Sequence, residues 1–311
     1  MASPRLPAPL RGIIPPMVTP LRDHDTLDVA GLERLIEHIL GGGVHGLFIL
    51  GTTGEAPSLS YRLRRELIER TCRQVNGRVP VLVGVTDTAF VESVRMAGVA
   101  AAVGASAVVV APPYYFVADQ VQLLDYLEHL VRQLPLPLLL YNAPSHAKFS
   151  YDPPTVRQAA ELPGVVGLKD SSANMIYFHR LVALLQDKPG FTLLVGPEEL
   201  LAESVLLGGH GGVNGGANFH PRLYVQLYEA ARDRDLDRVT ELHRQVMRIS
   251  TGIYPVGGSG AGVLRGLKCA LSILGICADC PAEPFGRLGP PERARIEQEL
   301  RDLGLLDRQE G

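Results

Sequence analysis

Eight short β-branched runs, each followed by a longer amphipathic stretch, organise the first 232 residues of this 311-residue chain. The runs fall at 12–19, 45–50, 79–85, 107–111, 136–141, 165–169, 191–195 and 211–214. Stretches with the apolar spacing of helices follow at 28–40, 61–75, around 96–103, and at 123–134, 155–161, 173–185, 198–207 and 218–232. The run 107–111 is apolar throughout, which is typical of a parallel strand buried on both faces. Eight such units predict an α/β fold, the (β/α)8 TIM barrel.

The main competitor is a doubly wound open sheet, which usually carries fewer strands and often a glycine-rich phosphate loop after the first. Here the first run ends in Val18-Thr19-Pro20 without a GxGxxG pattern, which favours the barrel. Three more helical stretches follow at 236–253, 262–274 and 291–303. We therefore expect a catalytic barrel over 1–232 and a C-terminal three-helix extension over 233–311.

Composition narrows the class of protein. Apolar residues make up 46% of the chain and charged residues 20%, so a large core is possible. The formal net charge of −3 gives no reason to expect nucleic acid or an anionic membrane as a partner. No apolar run approaches the roughly 20 residues of a membrane span, and residues 1–11 lack the apolar centre of a secretory signal. Four cysteines do not make a disulfide framework, so we expect a soluble cytoplasmic protein.

Lys169 is the unusual residue among those at the ends of the predicted strands, where barrel enzymes place their catalytic groups. It closes the apolar run 165–168, and an unpaired ammonium in such surroundings costs several kcal/mol. Burial lowers the pKa of a lysine, and the resulting neutral amine is the nucleophile of Schiff-base chemistry on carbonyl substrates. The alternative is a lysine whose ammonium reaches solvent at the barrel mouth.

Two other strand ends carry groups that suit a 2-oxo acid. The turn Gly51-Thr52-Thr53-Gly54 offers two hydroxyls and backbone N–H groups, which can hold a carboxylate. Tyr141 ends the strand before the lysine strand, so its phenol is a candidate proton relay in the same cavity. Each feature alone also fits an ordinary βα turn or a packed tyrosine. An acid-binding turn, an amine and a phenol at three strand ends together indicate a 2-oxo-acid site.

At these residues the sequence resembles the dihydrodipicolinate synthase/N-acetylneuraminate lyase family of class I, Schiff-base (β/α)8 aldolases and lyases. The matching segments are Gly51-Thr-Thr-Gly-Glu55, Tyr141-Asn-Ala-Pro144 and Gly167-Leu-Lys-Asp-Ser171, whose lysine comes 28 residues after the tyrosine. The resemblance runs from Gly12 to about Gly275. It implies a pyruvate-like 2-oxo acid as substrate, a homotetramer built as a dimer of dimers, and neither a metal nor an organic cofactor.

The resemblance also implies roles for the central residues. Lys169 would form the imine with pyruvate or a pyruvate-like donor. Thr52 and Thr53 would bind the carboxylate of that donor, and the Thr53 hydroxyl would also link to Tyr141. Tyr141 would shuttle protons during imine formation and carbon–carbon bond chemistry.

Three further positions surround this centre in the family. Tyr115 matches a tyrosine that family members lend across a dimer interface to the relay of a neighbouring subunit. Gly196 and Asn214 match the places where the loops after strands seven and eight face the substrate.

One position departs from the family pattern. Synthases that make dihydrodipicolinate carry an arginine two residues after the YNxP proline, which grips the carboxylate of the second substrate. His146 stands there, and Lys148 offers a point charge at a different place. We therefore expect His146 in a substrate site of another 2-oxo-acid aldolase, lyase or dehydratase. Two alternatives stay open: the true 4-hydroxy-tetrahydrodipicolinate synthase, which uses pyruvate and aspartate semialdehyde, and a non-catalytic 2-oxo-acid-binding or regulatory barrel.

Other chemically suggestive residues are interpreted as structural. Glu55 is expected to be a buried carboxylate tied to its turn, and strand alternation directs Asp170 away from the barrel interior. The loop 23–25 has the composition of metal ligands, but its turn residues favour a surface loop. Cys277 and Cys280 have CxxC spacing, yet no second pair completes a zinc site.

Overall fold

The computed structural model describes residues 6–116, 118–258 and 261–307, and within these ranges eight parallel strands confirm the predicted TIM barrel. The strands are β1 (Gly12–Ile13), β2 (Leu47–Ile49), β3 (Val81–Gly84), β4 (Ala107–Val110), β5 (Leu138–Asn142), β6 (Val165–Asp170), β7 (Thr192–Val195) and β8 (Gly211–Gly212). They follow one another in the order β1-β8-β7-β6-β5-β4-β3-β2. The ring closes beside β1, where Met17 N–H donates to Phe48 O at 2.8 Å and Phe48 N–H donates to Pro15 O at 3.0 Å.

The first strand is shorter than the sequence pattern predicts. Residues 12–19 are apolar enough for a long strand, but the ladder to β8 ends at Ile13. Pro15 and Pro16 follow, and proline has no N–H with which to continue a ladder. At the other side of this pairing, Gly211 has φ +149°, and a Cβ there would lie 1.9 Å from Gly12 O. Glycine therefore permits the close approach of β8 to β1.

Twelve α-helices occur in the described ranges, and most match the predicted stretches. They are α1 (Val29–Gly41), α2 (Tyr61–Val75), α3 (Phe90–Ala102), α4 (Gln120–Val131), α5 (Pro144–Ala147), α6 (Pro153–Ala159), α7 (Met175–Leu184), α8 (Leu201–Leu206), α9 (Pro221–Arg232), α10 (Leu236–Gly252), α11 (Gly262–Ile273) and α12 (Pro290–Asp302). The four-residue helix α5 was not predicted, because it is too short to show periodicity. In the described part of the chain, no helix is long and apolar enough to cross a membrane.

Helices α10, α11 and α12 form the predicted three-helix extension. Helix α10 packs against α9, and α11 packs against α12. The division of the chain at 232/233 into two structural units stays a prediction. The first and last residues of these two units, 1–5 and 308–311, lie outside the described ranges.

Strand side chains alternate between two cores, because successive Cβ atoms point to opposite faces of a sheet. One set packs within the barrel: Phe48, Leu82, Val109, Leu139, Tyr141 and Leu194. The alternate set, such as Leu140 and Leu168, packs in the larger core with the helices. The register places Lys169 opposite Tyr141 on one side and Leu194 on the other. Lys169 therefore belongs to the inward-facing row.

Candidate active site

Lys169 lies near the end of β6, with its side chain inside the barrel. The residue is only 6% exposed. Its Nζ atom lies 4.2 Å from the ring centre of Tyr141 and 5.2 Å from that of Phe48. Burial lowers the pKa of Lys169, and the neighbouring Tyr141 phenol only partly opposes this. Burial thus shifts the amine toward its neutral, nucleophilic form.

The Tyr141 phenol connects Lys169 to the turn after β2. Its hydroxyl lies 3.3 Å from the hydroxyl of Thr52. Burial alone would raise the pKa of Tyr141, but the nearby Lys169 charge and the hydrogen bond with Thr52 bring it below its ordinary value. A phenol with a lowered pKa, next to an amine, is suited to moving protons.

The structure corrects one predicted contact in this group. The hydroxyl expected to link to Tyr141 was that of Thr53, but the hydrogen bond is made by Thr52. Adjacent residues of a tight turn direct their side chains differently, so that only the first threonine reaches the phenol. Thr53 is half-buried beside it, and its proposed contact with a substrate carboxylate stays a prediction.

The turn that carries both threonines is fixed by its own backbone and by buried neighbours. Glu55 N–H donates to Thr52 O at 3.0 Å, and Glu55 adopts φ +59°, in the left-handed region. The Thr19 hydroxyl donates to Gly54 O at 2.7 Å. The Glu55 carboxylate is buried and is ion-paired with Lys268, which fits its interpretation as a structural group. The turn thus presents Thr52 and Thr53 from a fixed backbone.

Asn142 and Asp170 hold the ends of β5 and β6 together on the face opposite the lysine. Asn142 Nδ2 donates to Asp170 Oδ1 at 2.8 Å, and Ser172 donates to the same carboxylate through its N–H and its hydroxyl. These two residues directly follow Tyr141 and Lys169 in paired register. The bond therefore restrains the separation of the phenol and the amine.

Gly196 and Asn214 lie together beside the lysine strand. Asn214 Nδ2 donates to Gly196 O at 3.1 Å, and the Asn214 side chain is fully buried. Its Oδ1 atom is buried without a hydrogen-bond partner among the described residues. A Cβ on Gly196 would lie 2.1 Å from the Ser171 hydroxyl, so a larger residue there would displace that hydroxyl. The contact of either residue with a substrate stays a prediction.

His146 lies on helix α5, directly after β5, at the exposed mouth of the barrel. Its Nδ1 atom is 2.9 Å from the Ser145 hydroxyl. Its pKa is below the ordinary value, because neighbouring atoms partly desolvate the ring and the charges of Lys169 and Lys148 oppose a positive charge on it. His146 is therefore neutral at pH 7, and the side chain of Lys148 is exposed. Neither group is the bidentate cation that an arginine would provide.

Tyr115 lies on the surface, in the segment after β4. Its side chain is 77% exposed, and its ring contacts Phe116 edge-on, with centroids 5.2 Å apart. Within a single chain, the structure does not bring Tyr115 into the hydrogen-bonded group around Tyr141. Its predicted role, which needs a neighbouring subunit, stays a prediction.

Glu198 is a buried group that the sequence analysis missed. It follows β7 and accepts hydrogen bonds from Gly216 N–H, at 3.0 Å, and from the Tyr224 hydroxyl. Burial raises its pKa to about 7, although the hydrogen bonds from Gly216 and Tyr224 work in the opposite direction. The available signal was a carboxylate directly after an apolar strand end, in Gly196-Pro197-Glu198.

The described residues contain no group of three or more His, Cys, Asp or Glu side chains placed to hold a metal ion. In the loop 23–25, Asp25 accepts a hydrogen bond from the Ser60 hydroxyl at 2.7 Å and pairs with Arg62. Cys277 and Cys280 are both buried and free.

Comparisons with known proteins extend over nearly the whole chain. The model of the dihydrodipicolinate synthetase family matches residues 9–303. The solved dihydrodipicolinate synthase of Bacteroides thetaiotaomicron is 58% identical, with a TM-score of 0.93, covering 95% of this chain and 99% of that chain. YagE of Escherichia coli K12, a prophage protein solved in complex with pyruvate, is 29% identical, with a TM-score of 0.90, covering 95% of this chain and 99% of that chain. YjhH of Escherichia coli K12, a probable 2-dehydro-3-deoxy-D-pentonate aldolase, is 34% identical over 76% of this chain and 80% of its own.

Proposed function

This chain belongs to the dihydrodipicolinate synthetase family, and we propose that it is a class I lyase or aldolase whose Lys169 forms a Schiff base with pyruvate or another 2-oxo acid. The observation that carries the proposal is the placement of Lys169. Its amine is buried inside the barrel, 4.2 Å from the ring centre of a tyrosine whose hydroxyl is bonded to Thr52. The relative solved with pyruvate supports a substrate of this class.

Imine formation follows from these contacts. The Lys169 amine bonds to the ketone carbon and loses one proton, the carbonyl oxygen takes up that proton and a second one, and its bond to carbon then breaks to release one water. The Tyr141 hydroxyl donates a proton to the departing oxygen, and Thr52 holds that hydroxyl in place. The Thr52–Thr53 turn binds the substrate carboxylate through hydroxyl and N–H groups. The protonated imine then accepts the electron pair when a carbon–carbon bond of the substrate is cleaved. In the direction of condensation it stabilises the carbanion that forms such a bond.

The second substrate is proposed from the region around His146. A neutral histidine and an exposed lysine do not reproduce the carboxylate grip of an arginine. We therefore favour cleavage, condensation or dehydration of a 2-oxo acid with a hydroxylated chain over the reaction of pyruvate with aspartate semialdehyde. The aldolase relative supports this choice, and the synthase relative at 58% identity supports the alternative. Parallel assays with 2-keto-3-deoxy sugar acids and with pyruvate plus aspartate semialdehyde decide between them.

Borohydride trapping tests the imine directly. Incubation with pyruvate and sodium borohydride is expected to leave a reduced, covalent adduct on Lys169, located by mass spectrometry of peptides. Lys169→Ala is expected to abolish the adduct. Lys148→Ala, which removes an exposed lysine at the same mouth, is the matched control and is expected to keep it. No adduct in the wild type, or an adduct that survives Lys169→Ala, would contradict the proposal.

A non-catalytic barrel is the remaining alternative. Calorimetric titration with candidate 2-oxo acids, run beside turnover assays, separates it from an enzyme. Binding without turnover across the whole panel would favour a regulatory protein.

The proposed assembly is a homotetramer, a dimer of dimers, located in the cytoplasm. The exposed Tyr115 and Phe116 rings support an interface at the segment after β4. In that assembly Tyr115 of each subunit would join the proton relay of its neighbour.

A further inference from the structure

A buried ion pair joins the threonine turn to the C-terminal extension. Lys268, on α11, is ion-paired with Glu55, the last residue of the turn, and the two side chains are 0% and 3% exposed. The two residues are 213 positions apart in the sequence. Neither lies among the groups around Lys169, so the proposed chemistry makes no direct use of them.

Backbone groups of the extension complete the coordination of this pair. Ala282 N–H donates to Glu55 Oε1 at 2.7 Å, and Lys268 Nζ donates to Cys280 O at 2.8 Å. The Glu55 carboxylate is thus bonded to two separate places on the extension. The turn is fastened to α11 and to the segment after it by charge and by directed hydrogen bonds.

The same residue fixes the geometry of the threonines. Glu55 N–H donates to Thr52 O at 3.0 Å, and its backbone holds a left-handed conformation at φ +59°. Thr52 in turn is hydrogen-bonded to Tyr141. A displacement of Glu55 therefore moves Thr52. This residue is hydrogen-bonded to the Tyr141 phenol and, together with Thr53, faces the substrate carboxylate.

We propose that Glu55 and Lys268 are positioning residues, through which the C-terminal extension sets the carboxylate-binding turn of the active site. This inference rests on the proposed function for the identity of the ligand. A buried pair adds little stability compared with apolar residues of similar volume, since desolvation of two charges offsets their attraction. What the pair provides is a directional constraint, and removing it is expected to affect the turn more than the fold.

The test uses the double variant Glu55→Gln/Lys268→Met, which removes both charges and leaves neither partner buried alone. Its circular dichroism spectrum is expected to match the wild type. The pyruvate concentration that half-saturates borohydride labelling of Lys169 is expected to rise about tenfold or more, while the labelling rate at saturation changes less than about twofold. Amide hydrogen exchange over residues 51–56, measured without pyruvate, is expected to accelerate about tenfold.

Two further variants control this experiment. Arg248→Gln/Glu299→Gln removes a pair between α10 and α12 on the surface of the extension, and is expected to leave labelling and exchange at residues 51–56 unchanged. Glu55→Asp keeps the charge but shortens the side chain. It is expected to raise the pyruvate concentration for half-saturation, by less than the double variant does.

Wild-type half-saturation and exchange in a folded double variant would overturn the proposal, as would failure of both Glu55 variants to fold. If the wild type itself is not labelled, the proposed function fails. Hydrogen exchange without pyruvate then still decides whether the pair positions the turn.

Discussion

Lys169 and Tyr141 influence each other because they occupy paired positions on adjacent strands. Burial disfavours the ammonium of Lys169, while the neighbouring phenol favours it electrostatically. The same contact lowers the pKa of Tyr141 against the effect of its burial. At the scale of single residues, therefore, the pKa values of the amine and the phenol depend on each other, and Thr52 is the side chain that is hydrogen-bonded to the phenol.

Replacement of Thr52 and replacement of the adjacent Thr53 are expected to have different effects on the kinetics of the enzyme. Thr52→Val keeps the shape of the side chain but removes the hydroxyl bonded to Tyr141 at 3.3 Å. We expect kcat to fall about 10²-fold, the lower end of general acid–base contributions. Thr53→Val is the matched control; because it leaves the Tyr141 bond intact, we expect it to raise the KM for the 2-oxo acid and change kcat less than about threefold. Steady-state kinetics measures both, and equal losses of kcat would contradict the assignment of the relay contact to Thr52.

At the scale of elements, local pattern predicted what depends on local sequence. The alternation of inward and outward side chains places Lys169 and Asp170 on opposite faces, and helical spacing predicted α10 to α12. The first strand ends early because of Pro15 and Pro16. These prolines are evident in the sequence, but the apolar run around them led to the prediction of a longer strand. Which threonine would reach Tyr141 could not be predicted, since periodicity does not describe the direction of side chains in a turn.

Local sequence patterns could not predict contacts between elements that are far apart in the chain. Glu55 meets Lys268, and Glu198 meets Tyr224, only after the chain has closed the barrel. A buried carboxylate needs a partner, so the sequence could indicate that Glu55 would have one. It could not indicate which residue, because periodicity contains no information about partners far away in the chain.

Glu198 is expected to make stability fall as pH rises. Its pKa is about 7 in the fold and 4.5 in the reference state. Between these values the folded chain holds a proton that the unfolded chain has lost, so this contribution is fully present below about pH 4.5 and is lost as pH rises through about 7. The expected loss is about 3 kcal/mol in the free energy of unfolding.

The variant Glu198→Gln measures this contribution by mimicking the protonated side chain. Urea unfolding of wild type and variant from pH 4.5 to 8 is expected to show the wild type losing stability relative to the variant as pH rises. Burial lowers the pKa of His210 and His220 to about 4, but their effect is common to both proteins and cancels in the difference. The same substitution at the exposed Glu203 is the control, and a difference that is independent of pH would refute the expectation.

At the scale of the whole molecule, the segment after β4 carries two exposed aromatic side chains. Tyr115 and Phe116 are 77% and 82% exposed and pack edge-on against each other. Burying one such aromatic side chain contributes about 1.5–3 kcal/mol, and exposed apolar patches mark interaction sites. The proposed tetramer would cover this pair and bring Tyr115 of one subunit to the relay of another.

Phe116→Asp is expected to dissociate this assembly and to lower activity together with it. A carboxylate at the centre of an apolar contact is costly to desolvate, so the interface loses buried apolar area and no longer excludes water. Light scattering after size-exclusion chromatography is expected to show a smaller species, with kcat reduced about tenfold or more because the relay loses the tyrosine of the neighbouring subunit. Leu236→Asp, at a side chain that is 60% exposed on the first turn of α10, is the control and is expected to keep both mass and activity. A monomeric wild type that is fully active would show that Tyr115 has no part in the reaction.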